Sequence, residues 1–390
     1  MSTPRVLLVT GAYYPEIGTA GVLCRAVAAA LDGRVRFSVV TTAVDPTLPA
    51  TGVVDDVPVY RVPVDVRSGM SKAGAAARLV WRLAERRHAF DVIHLHGCSQ
   101  KNVAATLVAR ALGAPIVLSL HTAGQDEPEA VRRTSRLGYW AFTSADLVLS
   151  VSPYLSDRYR DAGLPEARLR LTPNGIDTRR FRPASPPERL ELRRALGWPE
   201  GQPVVVFVGF FSRDKRPDLL YRAWGRLAVE GGPPVRLVYV GATRSTYYEI
   251  DSSLASEIRR SAADLGAADR VELVDPTHEI DRYLRAADVF VMPSVRESQG
   301  VALLEAMACG LPSIASRLPG ATDMMIDDGV NGRLFPVDDD AALAAALRDV
   351  LRDRTGAAAM GARARDTVVA RYNIAQAAER WRAAYTEVIA

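Results

Sequence analysis

The sequence predicts an α/β protein made of two doubly wound halves, each a parallel sheet covered by helices. Three observations carry this. Short apolar runs rich in β-branched residues alternate with stretches of helical spacing along the whole chain, the order that builds parallel sheets through right-handed crossovers. The alternation stops once, in a stretch punctuated by Pro173, Asn174, Gly175, Pro183, Pro186 and Pro187, and then restarts. At about 150 residues per domain, 390 residues suit two domains better than one.

In order, Arg5–Thr10 reads as a buried strand and Gly18–Leu31 as a helix, with Val22, Ala26, Ala29 and Ala30 at helical spacing. Phe37–Thr41 is a strand, Ala73–His88 a helix, Asp91–His96 a strand, Lys101–Leu112 a helix and Pro115–His121 a strand. One long helical stretch fills about Glu127–Ser144, and strands Asp146–Val151 and Arg168–Leu171 enclose a short helix. The punctuated stretch from Pro173 to Pro187 contains no strand and reads as a linker. The second half runs strand Val204–Gly209, helix Asp218–Val229, strand Val235–Val240, helix Glu249–Leu265 and strand Val271–Val274. Helix Glu279–Ala286, strand Val289–Met292, helix Val301–Cys309 and strand Ser313–Ser316 follow. From Asp338 the chain is helical: Ala341–Leu351, Gly356–Arg371 and Ile374–Ile389. Ligands of such sheets bind outside the carboxyl ends of the strands, so two halves facing each other would place a site in the cleft between them.

Composition narrows the function classes. Hydrophobic residues make up 48% and charged residues 24%, which excludes a disordered, collagenous or coiled-coil chain. The longest apolar run, Val204 to Phe211, is far short of the roughly twenty residues that span a bilayer. Val6 to Val9 is too short for the apolar region of a signal peptide, so the expected location is the cytoplasm. Cys24, Cys98 and Cys309 are scattered and show no metal-type spacing, which fits a reducing compartment. A net charge of +4 does not indicate nucleic acid. The bias of Arg over Lys suits phosphate-bearing ligands.

Three loops could hold an anion. After the first strand, Gly11 leads through Tyr13, Tyr14 and Pro15 to Gly18-Thr19-Ala20-Gly21, which opens a helix and offers free backbone N–H groups. It is not G-x-G-x-x-G, so a dinucleotide reading is weak. A plain strand–helix turn without a ligand is the alternative. After Val208-Gly209, the loop Phe210-Phe211-Ser212-Arg213-Asp214-Lys215-Arg216 puts three cations where a diphosphate would be received. Glu297 and Glu305, seven residues apart, flank the start of one helix. Backbone N–H groups around Gln299 to Val301 would point at an anion, while the carboxylates would accept from sugar hydroxyls. Glu305 lies in the apolar run Leu304-Glu305-Ala306-Met307-Ala308, where a carboxylate needs a partner or a ligand.

At these residues the chain resembles a retaining glycosyltransferase of family 4, whose GT-B fold has two Rossmann-like domains. Glu297 and Glu305 match an E-x7-E motif, continued by Ala306-Met307-Ala308-Cys309-Gly310-Leu311-Pro312. Asn174-Gly175-Ile176-Asp177, Val208-Gly209 with Lys215, Gly329-Val330-Asn331-Gly332 and Gly18-Thr19 resemble further family segments, so the likeness covers essentially the whole chain. The resemblance implies a domain of residues 1–175 that takes the acceptor and a domain of 176–373 that takes a UDP- or GDP-linked sugar, with 374–390 returning to the first. It implies that Glu297 holds donor-sugar hydroxyls, Glu305 the ribose, and Lys215 with Arg213 the diphosphate. Gly18, Thr19, Ser298, Gln299, Gly300 and Val301 would touch phosphate and sugar, and the base would lie near Val274 and His278. His121 would stand near the sugar ring. Tyr13, Tyr14 and Asn174, with the stretches 97–101 and 122–129, would meet a small-molecule, glycan or lipid-linked acceptor.

The sequence also departs from the family pattern. Phe210 stands where an arginine is expected, so Arg213 or Arg216 is expected to substitute. Ser298-Gln299-Gly300 replaces Pro-Phe-Gly, and Thr19 replaces a glycine, which points to an unusual donor sugar. No metal or other cofactor is expected: Asp338-Asp339-Asp340 contains a D-x-D but reads as a helix N-cap. An epimerase on the same fold and a non-catalytic nucleotide-sugar-binding subunit are the rival readings. Arg78, Arg82 and Arg86 beside Trp81, and Arg132, Arg133 and Arg136, read first as solvated faces. A peripheral contact with an anionic inner membrane surface is the second reading of these clusters. Homodimer formation is left open.

Overall fold

The computed structural model describes residues 3–65, 67–229, 234–241 and 251–390. It divides into two compact units: Met1–Gly175 with Ile374–Ala390, and Ile176–Asn373.

The first unit is built on eight strands: β1 (Arg5–Thr10), β2 (Arg36–Ala43), β3 (Thr51–Val54), β4 (Val57–Pro63), β5 (Val92–His96), β6 (Ile116–Leu120), β7 (Leu147–Ser150) and β8 (Leu169–Leu171). They pair in the order β3-β4-β2-β1-β5-β6-β7-β8, parallel throughout except for β3 with β4. Both faces of this sheet are covered, which explains why its strands read as unbroken apolar runs. Alternate side chains of β1 enter opposite cores. Leu7 and Val9 pack with Leu79, Leu83 and Val108. Val6 and Leu8 pack with Leu23, Val27, Trp381 and Tyr385. The terminal helix Ile374–Ile389 therefore forms part of the first unit's core.

The second unit has six parallel strands: β9 (Val204–Val208), β10 (Arg236–Val240), β11 (Val271–Val274), β12 (Val289–Met292), β13 (Ser313–Ser316) and β14 (Arg333–Phe335). Their order is β11-β10-β9-β12-β13-β14. Val204 and Val206 point into one core and Val205 and Phe207 into the other. In each sheet the winding reverses next to the first strand, between β1 and β5 and between β9 and β12. Such switch points are where the loops at the strand carboxyl ends diverge and leave room for a ligand.

Several elements differ from the sequence expectation. The β3–β4 hairpin went unread because Pro58 and Pro63 argue against strand. It forms at the sheet edge through a two-residue turn, Asp55 and Asp56, with φ of 47° and 63°. The helical stretch Glu127–Ser144 is two helices, Pro128–Thr134 and Arg136–Thr143, broken at extended Ser135, whose hydroxyl caps the second. The supposed linker ends in a helix, Pro186–Ala195, that starts with a capping box from Ser185 and Glu188. Strand β14 was also unread. The expected helix at Glu249–Leu265 is observed as Ser252–Asp264, with Glu249 and Ile250 outside the described residues. No helix among the described residues is long and apolar enough to cross a membrane.

Candidate active site

In the second unit the switch point brings together the loop after β9 and the loop after β12. The Val295 N–H donates to the Asp214 carbonyl at 2.8 Å, and Arg296 pairs with the Asp214 carboxylate. These bonds pin the two loops to each other. Between them the Lys215 ammonium donates to Glu297 Oε1 at 2.6 Å, and the Ser294 hydroxyl donates to the same oxygen at 2.8 Å. Glu297 is almost buried, whereas Lys215 is about one-third exposed, with a side-chain accessibility of 31%. A carboxylate and an ammonium are thus held side by side at a strand carboxyl end.

The next helix, Val301–Ala308, begins at Gly300, whose φ of 82° only glycine adopts readily. A Cβ there would also lie 2.9 Å from Met292 Cε. The Leu303 and Leu304 N–H groups close on the Gly300 carbonyl at 3.1 and 3.3 Å, and those of Val301 and Ala302 precede the first intrahelical bond. Glu305 lies in the second turn among buried Leu303, Leu304, Ala306 and Met307. No hydrogen bond or ion pair reaches its carboxyl group among the described residues. Burial pushes its pKa up to about 8, Arg180 partly opposing the rise and Asp281 adding to it. The Arg180 guanidinium is held by Asp281 at 3.0 Å and by the His278 carbonyl.

The first unit's switch point carries a buried imidazole array. His94 and His96 alternate along β5 on the same face, and His121 follows β6. His94 Nδ1 shares a hydrogen bond with the Tyr385 hydroxyl at 2.8 Å, and His94 Nε2 one with the Ser119 hydroxyl at 2.7 Å. His96 Nδ1 and His121 Nε2 are 3.0 Å apart. Trp381 packs on both strand histidines, with ring centroids at 4.6 and 5.0 Å. Burial lowers the pKa of all three, His121 to about 4, so the array is neutral at pH 7. The Asp126 carboxylate accepts N–H bonds from Cys98 at 2.6 Å, His121 at 2.7 Å and Thr122 at 2.8 Å, fastening the loops after β5 and β6. Lys101, which donates to the Ser99 hydroxyl, stands beside Gly11.

The family model for glycosyl transferases group 1 matches residues 188–367, and that for glycosyltransferase family 4 matches residues 20–180. A D-inositol 3-phosphate glycosyltransferase from Stackebrandtia nassauensis is 32% identical over 366 residues, 87% of this chain and 80% of that protein. The chain belongs to glycosyltransferase family 4. Among solved structures, Anabaena HepE in complex with UDP and glucose superposes with a TM-score of 0.80 at 20% identity, over 98% of this chain and all of that one. The Thermosynechococcus elongatus sucrose-phosphate synthase superposes with a TM-score of 0.81 at 22% identity, over 98% of each chain. Both show the GT-B fold.

Within this transferase, Lys215, Glu297, Ser298, Gln299, Gly300, Val301 and Glu305 lie on one strand-end loop, the next, and the helix that follows. Gln299 is fully buried, so its side chain belongs to the loop's interior. Val274 ends β11, and the His278 carbonyl is taken by Arg180. The two candidates for the missing arginine separate clearly. Arg216 is bound by Asp218 and Asp338, whereas Arg213 is 85% exposed and, among the described residues, pairs with Asp251 at 3.3 Å. In the D-x-D, Asp339 caps helix Asp340–Arg352 through the Ala342 N–H, and Asp340 pairs with Arg226, as an N-cap reading requires.

In the first unit Gly18 precedes helix Thr19–Ala30, whose first turn leaves Thr19 exposed. Tyr13 corrects the sequence reading: it is buried in the core with Leu8 and Val27 and offers no surface for an acceptor. Tyr14 is exposed, with Arg25 stacked 4.5 Å from its ring centroid, and Asn174 is buried. Arg180, His94, His96 and Asp126 were missed. The available signals were His94-x-His96, which places two imidazoles on one strand face, and an arginine three residues past Asp177.

Proposed function

We propose that this transferase moves a sugar from a nucleoside diphosphate donor, UDP- or GDP-linked, to an acceptor hydroxyl with retention at the anomeric carbon. The observation that carries this reading is the Lys215–Glu297–Ser294 cluster at the second unit's switch point, with an unpartnered buried carboxyl group at Glu305. Lys215 and exposed Arg213 receive the diphosphate, and the N–H groups at Gly300 and Val301 add the positive end of a helix. These groups stabilise the charge that grows on the leaving diphosphate, in a site arranged before the reaction begins. They supply the positive charge that a divalent metal would otherwise bring. Glu297, oriented by Lys215 and Ser294, accepts from the hydroxyls of the donor sugar. Glu305 takes the ribose hydroxyls, which satisfy a carboxylate that the fold leaves unsatisfied.

The first unit takes the acceptor. Neutral His121, held by His96 and the Asp126-fastened loop, offers a hydrogen-bonding group to the reacting sugar. The inositol phosphate acceptor named for the Stackebrandtia relative makes a phosphorylated cyclitol the first acceptor to test, ahead of glycan or lipid-linked hydroxyls. We place the reaction in the cytoplasm, a reading supported by three unpaired cysteines.

The experiment begins with the melting temperature in the presence of UDP, GDP and ADP, each free and sugar-linked, which identifies the donor. Transfer from that donor is then followed in Glu297→Gln. Loss of the carboxylate should lower kcat by at least about a hundredfold while leaving the nucleotide-induced melting shift in place. Near-normal turnover would overturn the assignment of Glu297.

A further inference from the structure

We propose that the outer helical layer of the first unit is a docking surface for anionic lipid bilayers. Helices Gly69–Glu85, Gln100–Leu112 and Arg136–Thr143 pack side by side on one face of the first sheet. Leu79, Leu83, Val108 and Phe142 point into a single core beneath them. Their opposite sides therefore form one continuous outer layer.

That layer is apolar where a solvated helix would be polar. Helix Gly69–Glu85 turns Ala75, Leu79 and Leu83 inward. On its outward side Met70, Ala73, Ala77, Trp81 and Ala84 are exposed at helical spacing. Met70 is 88% and Trp81 57% accessible. The neighbouring helices add exposed Leu107, Leu137 (66%) and Trp140. Tryptophan, with an apolar body and one N–H, suits the boundary between headgroups and acyl chains.

The charge around this layer is one-sided. Leaving aside Lys101, which stands beside Gly11, segments 69–88, 100–112 and 128–143 carry nine Lys and Arg against two acids, Glu85 and Glu129. Glu85 is taken by Arg82 and Arg86. Among the described residues, Lys72, Arg78, Arg87, Arg132, Arg133 and Arg136 make no ion pair. Arg136, Leu137 and Trp140 lie on one side of helix Arg136–Thr143, with exposed Arg132 and Arg133 ending the short helix before it, so cations and apolar groups share a surface. A second copy of this chain is a poor occupant, because the same face twice would set these cations against one another. An anionic bilayer satisfies both features, the cations at its headgroups and the two tryptophans just below them.

Full-length protein is sedimented with phosphatidylcholine vesicles, with and without phosphatidylglycerol. Binding is expected with phosphatidylglycerol only, and salt should release it. Arg133→Glu/Arg136→Glu and Trp81→Ala/Trp140→Ala should each weaken binding by at least about tenfold. All four side chains are exposed, so the melting temperature and its shift with nucleotide should stay at the parental value. That control separates this surface from the donor site. Equal binding to neutral vesicles, no binding, parental binding by both variants, or self-association abolished by these substitutions would each overturn the proposal.

Discussion

The Glu305 carboxyl group enters the fold without a partner, and its titration offers a direct readout of nucleotide binding. Burial raises its folded-state pKa to about 8, well above that of a solvated carboxyl group. Between those two values the folded chain keeps a proton that the unfolded chain has released. The group therefore favours folding at low pH, and that contribution is lost as pH rises towards 8. Ribose hydroxyls donating to the carboxylate favour its charged form, so nucleotide binding at pH 7 should release about one proton. Calorimetry in buffers of different ionisation enthalpy measures this. Affinity should climb by up to about tenfold per pH unit between pH 6 and 8 and become flat in Glu305→Gln. A pH-independent affinity in the parent would remove Glu305 from the ribose site. Lys215, Glu297 and Glu305 were legible in the sequence because each is polar in a place where local pattern demands an explanation. Arg180, His96 and Asp126 were not legible, because their roles depend on partners reached only through tertiary structure. The Arg180–Asp281 contact, for example, spans 101 positions.

At the scale of elements, the carboxyl ends of β9, β10 and β11 approach so closely that side chains are excluded. The Gly209 N–H bonds the Val240 carbonyl at 2.9 Å, and the Gly241 N–H bonds the Val274 carbonyl at 3.1 Å. A Cβ on Gly241 would fall 1.9 Å from the Gly209 carbonyl oxygen, a backbone atom that cannot move without parting the strands. Gly241→Ala should cost the second unit about 1–3 kcal/mol, read from the urea midpoint, and should weaken nucleotide binding with it. Gly225, inside helix Pro217–Val229, meets nothing within 4 Å. Gly225→Ala should instead stabilise by about 0.5–1 kcal/mol. If both substitutions destabilise equally, close approach is not the reason for Gly241. Most strands were legible to within a residue or two because burial on both faces leaves an unbroken apolar run. The β3–β4 hairpin was not, since an edge position tolerates the prolines that elsewhere rule a strand out. Ser135 hid for a different reason: the residues on both sides keep helical composition, and only an extended φ of −159° separates two helices.

At the scale of the molecule, the last helix belongs to the unit in which the chain begins. Ala378, Trp381, Ala384 and Tyr385 are buried with Val6, Leu8 and Val27 of the first unit, and Tyr385 reaches His94 from 291 positions away. Trp381→Ala should destabilise that unit by about 3–5 kcal/mol and expose His94 and His96. Limited proteolysis should then cut within residues 1–175 and leave 176–373 intact, whereas simultaneous cleavage of both would show that the units do not unfold separately. By itself the sequence determined the two doubly wound halves and the carboxylate pair around one helix start, but not the strand orders that place the switch points. The halves and the pair follow from side-chain periodicity and from backbone groups left free at helix ends, which act over a few residues. Only the tertiary structure decided that Tyr13 is core and that Arg216 is held by two carboxylates while Arg213 stays exposed with one. It also decided that three histidines form one neutral array closed by the terminal helix. Those outcomes depend on which distant segments the crossovers bring together, and burial then sets the charge of whatever meets there.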